Sequence, residues 1–365
     1  MPRPLTLALL SLFLFTLPFQ LTSQNSLQSK LDALLTSYIS SHHIPGLSVA
    51  VIDHSQVLIT RAYGLADVEN NVPATPDTIF RIASLSKPIT ATATLKLVAA
   101  GKLDLDAPIQ KYCSAFPQKP WPITTRELLT HQSGIRDYRD EAETINTKHY
   151  SSINEALSQF ATDPLDFQPG TKMQYTSYGY IVLGCVIEGA SGQPYDRFMH
   201  DAIFAPAHMN STRLDDVFAI IPHRARGYRL TTAGELQNAI FVDASNKPPG
   251  SGINSSANDM ANFISALYSG KSVPPEILNQ MLTPAPIFDR TPTIYGFGFF
   301  RGGPLNKYRG LDEAGHGGDQ QGVTSALYLL PQRQFAVVIL SNLEGQNLSL
   351  DFISLSRQIF DLLPH

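Results

Sequence analysis

The chain has 365 residues, with 27 Lys+Arg against 31 Asp+Glu and a formal net charge of -4. That balance argues against a nucleic-acid binder, which carries a basic excess on one face. With 43% hydrophobic and 16% charged residues, disorder and long coiled coil are both excluded. At ~150 residues per domain, the length predicts two domains or one domain of two lobes.

Met1-Pro2-Arg3-Pro4 carries one positive charge, and the run from Leu5 to Leu21 carries none. These are the n-region and h-region of a secretory signal, with Leu21-Thr22-Ser23 as the cleavage site before Gln24. The expectation is a signal peptide over 1–23 and a protein secreted or periplasmic, with no membrane contact after cleavage. A retained anchor, the alternative, wants ~20 apolar residues, and Pro18 breaks the run.

From Ser26 to Ile44, Leu27, Leu31, Leu34, Leu35 and Tyr38 recur at three and four residues and predict an amphipathic helix. Gly46 to Asp53 and Gln56 to Gly64 read as a hairpin around Asp53-His54-Ser55. The stretch from 85 to 285 is mostly helical in pattern, with helices expected over 89–100, 125–131, 151–161, 178–190, 195–204 and 256–268. Strands are expected again over 295–301, 322–330 and 335–341, and Leu348 to Leu363 reads as a closing helix. Because an isolated hairpin is unstable, strands at both ends predict one antiparallel sheet assembled from them. The expected α/β architecture places a sheet lobe at about 24–84 and 286–365, flanked by helices, with a mostly helical lobe at about 85–285 inserted into it.

Cys113 and Cys185 are too few for a disulfide framework or a four-cysteine zinc site. Cys185 lies in the apolar run Tyr180 to Ile187, so a buried free thiol is expected, with a single bridge as the alternative. Gly270-Lys271-Ser272 lacks the earlier glycine of a phosphate loop, and Gly250-Ser251-Gly252 lacks the third glycine of a dinucleotide loop. The histidines show no metal-ligand spacing, and Gly-x-Ser-x-Gly is absent. No metal or cofactor is expected.

Ser84-Leu85-Ser86-Lys87 opens a helical pattern. Residues three apart share a helix face, so the Ser84 hydroxyl meets the Lys87 amine, and a desolvated lysine can take the proton that makes serine a nucleophile. A helix start also supplies N–H groups suited to an oxyanion. Pro88 fits a first turn but disfavours helical geometry at Lys87. By itself Ser-x-x-Lys is weak, since such a pattern also arises by chance in an exposed first turn.

Two more segments accompany it: Tyr175-Thr176-Ser177, after a Pro169-Gly170 turn, and Gly315-His316-Gly317-Gly318-Asp319, just before a predicted strand. In this order the three segments resemble the motifs of the serine β-lactamases and penicillin-binding proteins. The pattern is most similar to the class C branch and its relatives, which include lactamase-fold esterases, D-amino-acid peptidases and the mitochondrial serine β-lactamase-like protein. Stretches at 101–106, 128–135 and 252–260 resemble the family as well, so the likeness covers about 30 to 345.

The resemblance implies Ser84 as nucleophile, Lys87 as its partner and Tyr175 as the phenol that moves the proton with that lysine. Ser177 stands where the family most often has Asn, and His316 where lactamases carry a Lys, with Gly317 and Gly318 completing that motif. Ser177, His316 and Gly318, with the backbone N–H of Asp319 as second oxyanion donor, form the implied substrate-binding set. Ser177 offers fewer donors than an amide, and an imidazole cation would lose its charge as pH rises through ~6.5. The expected function is a serine acyl-enzyme hydrolase acting on an ester, a D-amino-acid peptide or amide, or a β-lactam. The alternative is a non-catalytic binder of penicillin or cell-wall fragments with the same fold.

Overall fold

The computed structural model describes residues 17–363 apart from 346, with side chains from residue 27. Most of the expected signal peptide therefore lies outside the described residues. Helix α1 (Leu17–Ser41) runs through the expected cleavage point, and Leu31 and Leu35 anchor it to the core. Among the described residues no helix is long and apolar enough to cross a membrane.

A six-stranded antiparallel sheet is built from both ends of the chain. Its strands are β1 (Gly46–Asp53), β2 (Gln56–Asp67), β3 (Val72–Pro73), β4 (Ala314–Gln320), β5 (Val323–Leu330) and β6 (Phe335–Ser341), in spatial order β4-β5-β6-β1-β2-β3. The β1–β2 turn is tight because His54 and Ser55 both take positive φ, at 50° and 64°, the twist that a two-residue hairpin needs. β1 pairs with β6 at Val49↔Ile339, which closes the sheet across nearly the whole chain length.

The sheet separates two apolar cores, and the two-residue strand period sorts side chains between them. Leu47, Val49, Val51, Val337 and Ile339 pack with α1 and the closing helix α6 (Leu348–Asp361). Ala50, Ile52, Ala336, Val338 and Leu340 face α2 (Ser86–Ala99), α4 (Ser177–Ser191) and α5 (Ala257–Tyr268). Burial on both faces accounts for the almost unbroken apolar reading of β1 and β6. A short helix, α3 (Thr125–Leu129), packs on α4 and carries a full capping box between Thr124 and Glu127.

Three expectations are corrected. No strand forms over 295–301; only isolated bridges join Tyr295 to Phe300 and Phe300 to Gly315. Gly298 turns the chain there at φ 84°, and a side chain added to it would come within 2.8 Å of Ala91 Cβ and 3.0 Å of Pro88 Cα in α2. Conversely, Ala314–Gln320 is a strand although it is rich in glycine, because it sits on the sheet edge and pairs with β5. The helix expected over 195–204 is α-helical only over Tyr195–Met199 before its last turn widens over His200–Phe204.

The free thiol is corrected as well: Cys113 and Cys185 form a disulfide, with Cα atoms 5.3 Å apart. Both cysteines are buried, as an apolar setting requires. What brings them together is tertiary: Gly189 of α4 has no side chain to hold off the Tyr112 carbonyl, so the segment before Cys113 lies directly on the helix.

Candidate active site

Ser84 lies in a single 3-10 turn, Ala83–Leu85, that runs straight into α2. Pro88 therefore falls in the first turn of α2, where an N–H has no intrahelical partner, and its ring displaces no bond. Lys87 is helical all the same, as the second residue of α2 directly ahead of Pro88. Ala83, without glycine's freedom, holds φ 46°, a costly conformation for a residue with a Cβ. The Ser86 hydroxyl donates to the Ala83 carbonyl at 2.7 Å and accepts from the Ile253 amide, pinning this strained turn.

From the first turn of α2, Lys87 Nζ donates to Ser84 Oγ at 2.9 Å and to the Gly250 carbonyl at 2.9 Å, with Ser177 Oγ 3.4 Å away. The phenol of Tyr175 donates to Ser84 Oγ at 3.0 Å. Lys87 is fully buried, with its ammonium 4.7 Å from the centre of the Tyr175 ring. Desolvation pulls its pKa down to about 7; the nearby Asp137 carboxylate opposes the drop and the Lys247 cation assists it. Burial drives Tyr175 the other way, well above the usual phenol range, with the bond to Ser84 partly opposing. At neutral pH the lysine is thus poised to accept a proton and the phenol to keep one.

Tyr175 stands between rings, with His131 at 4.3 Å and Phe300 at 5.9 Å between centroids. His131 Nδ1 accepts from the Thr176 amide at 3.1 Å, which places its proton on Nε2, a buried atom with no hydrogen-bond partner among the described residues. Thr176, not Ser177, is the N-cap of α4, accepting from the Gly179 amide. Ser177 is the first residue of the helix, its amide donating to Asp137 Oδ1 at 2.8 Å.

β4 is the sheet edge nearest Ser84. A side chain added at Gly318 would come within 3.0 Å of the Ser84 nitrogen and 2.8 Å of the Ile82 carbonyl, so glycine is what lets the strand approach. Gly315 turns its N–H and carbonyl outward to Phe300. By the alternation of an antiparallel ladder the Asp319 amide faces the same way, toward the cleft. The Asp319 carboxylate is turned aside, accepting from Ser349 Oγ at 2.7 Å.

His316 does not present a cation. Its Nδ1 lies 2.6 Å from the Gly317 carbonyl and its Nε2 3.0 Å from the Tyr295 hydroxyl. A neutral ring donating from Nδ1 and accepting at Nε2 satisfies both bonds. Desolvation, with the charge of Lys87, brings its pKa down to about 3, so the charge change expected near pH 6.5 is absent.

All seven residues singled out in the sequence converge here, and all but Lys87 and Gly318 line one cleft of about 520 Å³. Its lining combines the apolar side chains of Ile294, Phe300, Leu305 and Ile353 with the polar ones of Tyr138, Thr144, Lys247 and Ser251. Sequence reasoning gave no role to Asp137, Tyr138, Lys247 or the Gly250 carbonyl. His131 stands in a stretch that resembles the family, but its ring contact with Tyr175 had no signal in the spacing.

A family model described as Beta-lactamase matches residues 31–354. The mitochondrial serine beta-lactamase-like protein LACTB of Homo sapiens is 31% identical over 325 residues, 66% of this chain and 59% of that protein. The chain thus aligns with about six-tenths of that relative's length. Among solved structures, the octameric penicillin-binding protein homologue of Pyrococcus abyssi is 26% identical with a TM-score of 0.76, covering 92% of this chain and 77% of the other. The D-amino acid amidase of Ochrobactrum anthropi SV3, complexed with D-phenylalanine, is 24% identical with a TM-score of 0.78, covering 92% and 98%.

Proposed function

As the chain belongs to the β-lactamase family of serine hydrolases, we propose that it hydrolyses an ester, an amide or peptide of a D-amino acid, or a β-lactam through an acyl-enzyme on Ser84. The observation that carries this reading is the pair of hydrogen bonds on Ser84 Oγ, one from a lysine with a pKa of about 7 and one from a phenol that stays protonated. Neutral Lys87 takes the Ser84 proton as Oγ adds to the substrate carbonyl. The oxyanion forms between the first turn at Ser84 and the β4 edge, where the Ser84 and Asp319 amides supply the donors. Tyr175 gives its proton to the departing atom, so the leaving group exits along the wall of Tyr175, Phe300 and His316. Water then follows the same path in reverse and frees the acyl group.

Esters and D-amino-acid amides fit this site better than efficient lactam turnover. The neutral His316 offers no cation to a lactam carboxylate, Ser177 supplies one hydroxyl in place of an amide, and a fold neighbour is by name a D-amino acid amidase. The Cys113–Cys185 bridge and the uncharged run from Leu5 to Leu21 support a place outside the reducing cytosol, secreted or periplasmic. A chromogenic ester, a chromogenic cephalosporin and a D-Ala-D-Ala peptide, offered to wild type and Ser84→Ala, test the activity. Turnover of any one that vanishes in the variant supports it; no turnover and no covalent adduct means a binding protein instead.

A further inference from the structure

Lys247 is a second buried lysine in the same cleft, 3% exposed. Its ammonium donates to the Thr144 carbonyl at 3.0 Å and lies 5.7 Å from the centre of the Tyr138 ring. Among the described residues it makes no ion pair; the nearby Asp215 is already engaged by Arg81 and Arg224. An ammonium has three protons to donate, and a buried charge without a counter-ion is costly to keep. Desolvation, with the charge of Arg81, lowers its pKa only to about 8, so it is mainly a cation at neutral pH. Tyr138 adds a second polar group at the same place: its hydroxyl is buried beside those of Ser177 and Ser251.

We propose that Lys247 and the Tyr138 hydroxyl form an anion subsite that takes an acid group carried by the acyl half of the substrate. The proposal rests on the acyl-enzyme reading above, which fixes the direction. With the leaving group departing past Tyr175, the acyl chain lies across Ser177 toward Tyr138, which stands beside it, and Lys247. The cation that the family places at the His316 position is missing here, and the charge is supplied from the other side of Ser84. The two lysines are also tied together, since Gly250, whose carbonyl holds Lys87, bonds through its amide to the Lys247 carbonyl. The structure thus selects a half-acid, an ester or amide whose acyl chain ends in a carboxylate, over its neutral counterpart.

Three pairs of p-nitrophenyl esters test this: hydrogen succinate against butyrate, hydrogen glutarate against valerate, and hydrogen adipate against hexanoate. Each pair exchanges a carboxylate for a methyl group at fixed chain length, and Ser84→Ala supplies the background. Wild type should prefer the acid by about tenfold or more in kcat/KM at one length at least, the scale of one retained charge contact. Lys247→Gln should cut that ratio about tenfold, Lys247→Arg should keep part of it, and Tyr138→Phe should lower it with the fold intact. A wild-type ratio at or below one at every length overturns the subsite without any variant, as does a ratio unchanged in Lys247→Gln that melts like wild type. Turnover of neutral esters without acid preference defeats this inference alone, whereas no turnover of either set defeats the hydrolase reading with it.

Discussion

The depressed pKa of Lys87 makes the pH profile a quantitative reading of the site. An ordinary lysine at 10.5 is neutral to about 0.03% at pH 7, whereas a group at about 7 is half neutral, so burial raises the share of free base about 1,000-fold. Because the working form is the neutral one, activity is lost as pH falls through 7: about a tenth of the base remains at pH 6 and about a hundredth at pH 5. The assay is kcat/KM for a neutral p-nitrophenyl ester from pH 5 to 9 at constant ionic strength, with the Ser84→Ala rate subtracted. Two charge changes should move the acid limb in opposite directions. Asp137→Asn removes the charge that holds the pKa up and shifts the limb to lower pH, while its amide oxygen can still accept from the Ser177 amide. Lys247→Gln removes the charge that pushes it down and shifts the limb to higher pH. A profile flat from pH 5 to 9, or a limb that neither substitution moves, would refute Lys87 as the base.

Other consequences are as direct. Tyr175→Phe keeps the ring between His131 and Phe300 but removes the proton donor, and should lower kcat by about 100- to 10,000-fold; a change under threefold would remove Tyr175 from proton transfer. Gly318→Ala puts a methyl against the Ile82 carbonyl and the Ser84 amide and should push β4 off the nucleophile, costing about 100- to 1,000-fold in kcat as one oxyanion donor is displaced. Unchanged kcat there would mean that the β4 edge does not serve the reaction. With His316 neutral, KM for acidic substrates should show no step near pH 6.5 that His316→Gln abolishes; such a step would restore the histidine as a cation. Replacing both cysteines by serine opens a bridge spanning 72 residues and should cost about 4 kcal/mol in denaturant unfolding, while a cost under about 1 kcal/mol would show that the bridge does not constrain the unfolded chain.

Local features were the most legible in the sequence. The Ser84–Lys87 spacing predicts a shared face, and it holds even though a 3-10 turn stands between them; the apolar runs of β1 and β6 and the Asp53-His54-Ser55 turn read as they fold. Features set by tertiary approach were not. β4 looks like a loop because Gly315, Gly317 and Gly318 are weak strand formers, and at Gly318 the reason for glycine is closeness to Ser84, a residue 234 positions earlier. Cys185 had the burial of a free thiol, and only the docking of the Tyr112 segment on α4 supplies its partner. Asp137 and Lys247 carry no motif, yet they tune Lys87 in opposite senses, because charge acts through space in a low-dielectric cleft. His316 was placed by resemblance, but its charge depends on Tyr295 and on burial, neither of which spacing can report.

The most direct test of covalent catalysis is to quench the protein seconds after mixing with a slowly deacylating p-nitrophenyl ester and to weigh it intact, then digested. The mechanism predicts a mass gain of one acyl group per chain, confined to the peptide that contains Ser84 and absent in both Ser84→Ala and Lys87→Ala. An adduct on any other residue, or hydrolysis at full rate by the Ser84→Ala protein, would contradict it.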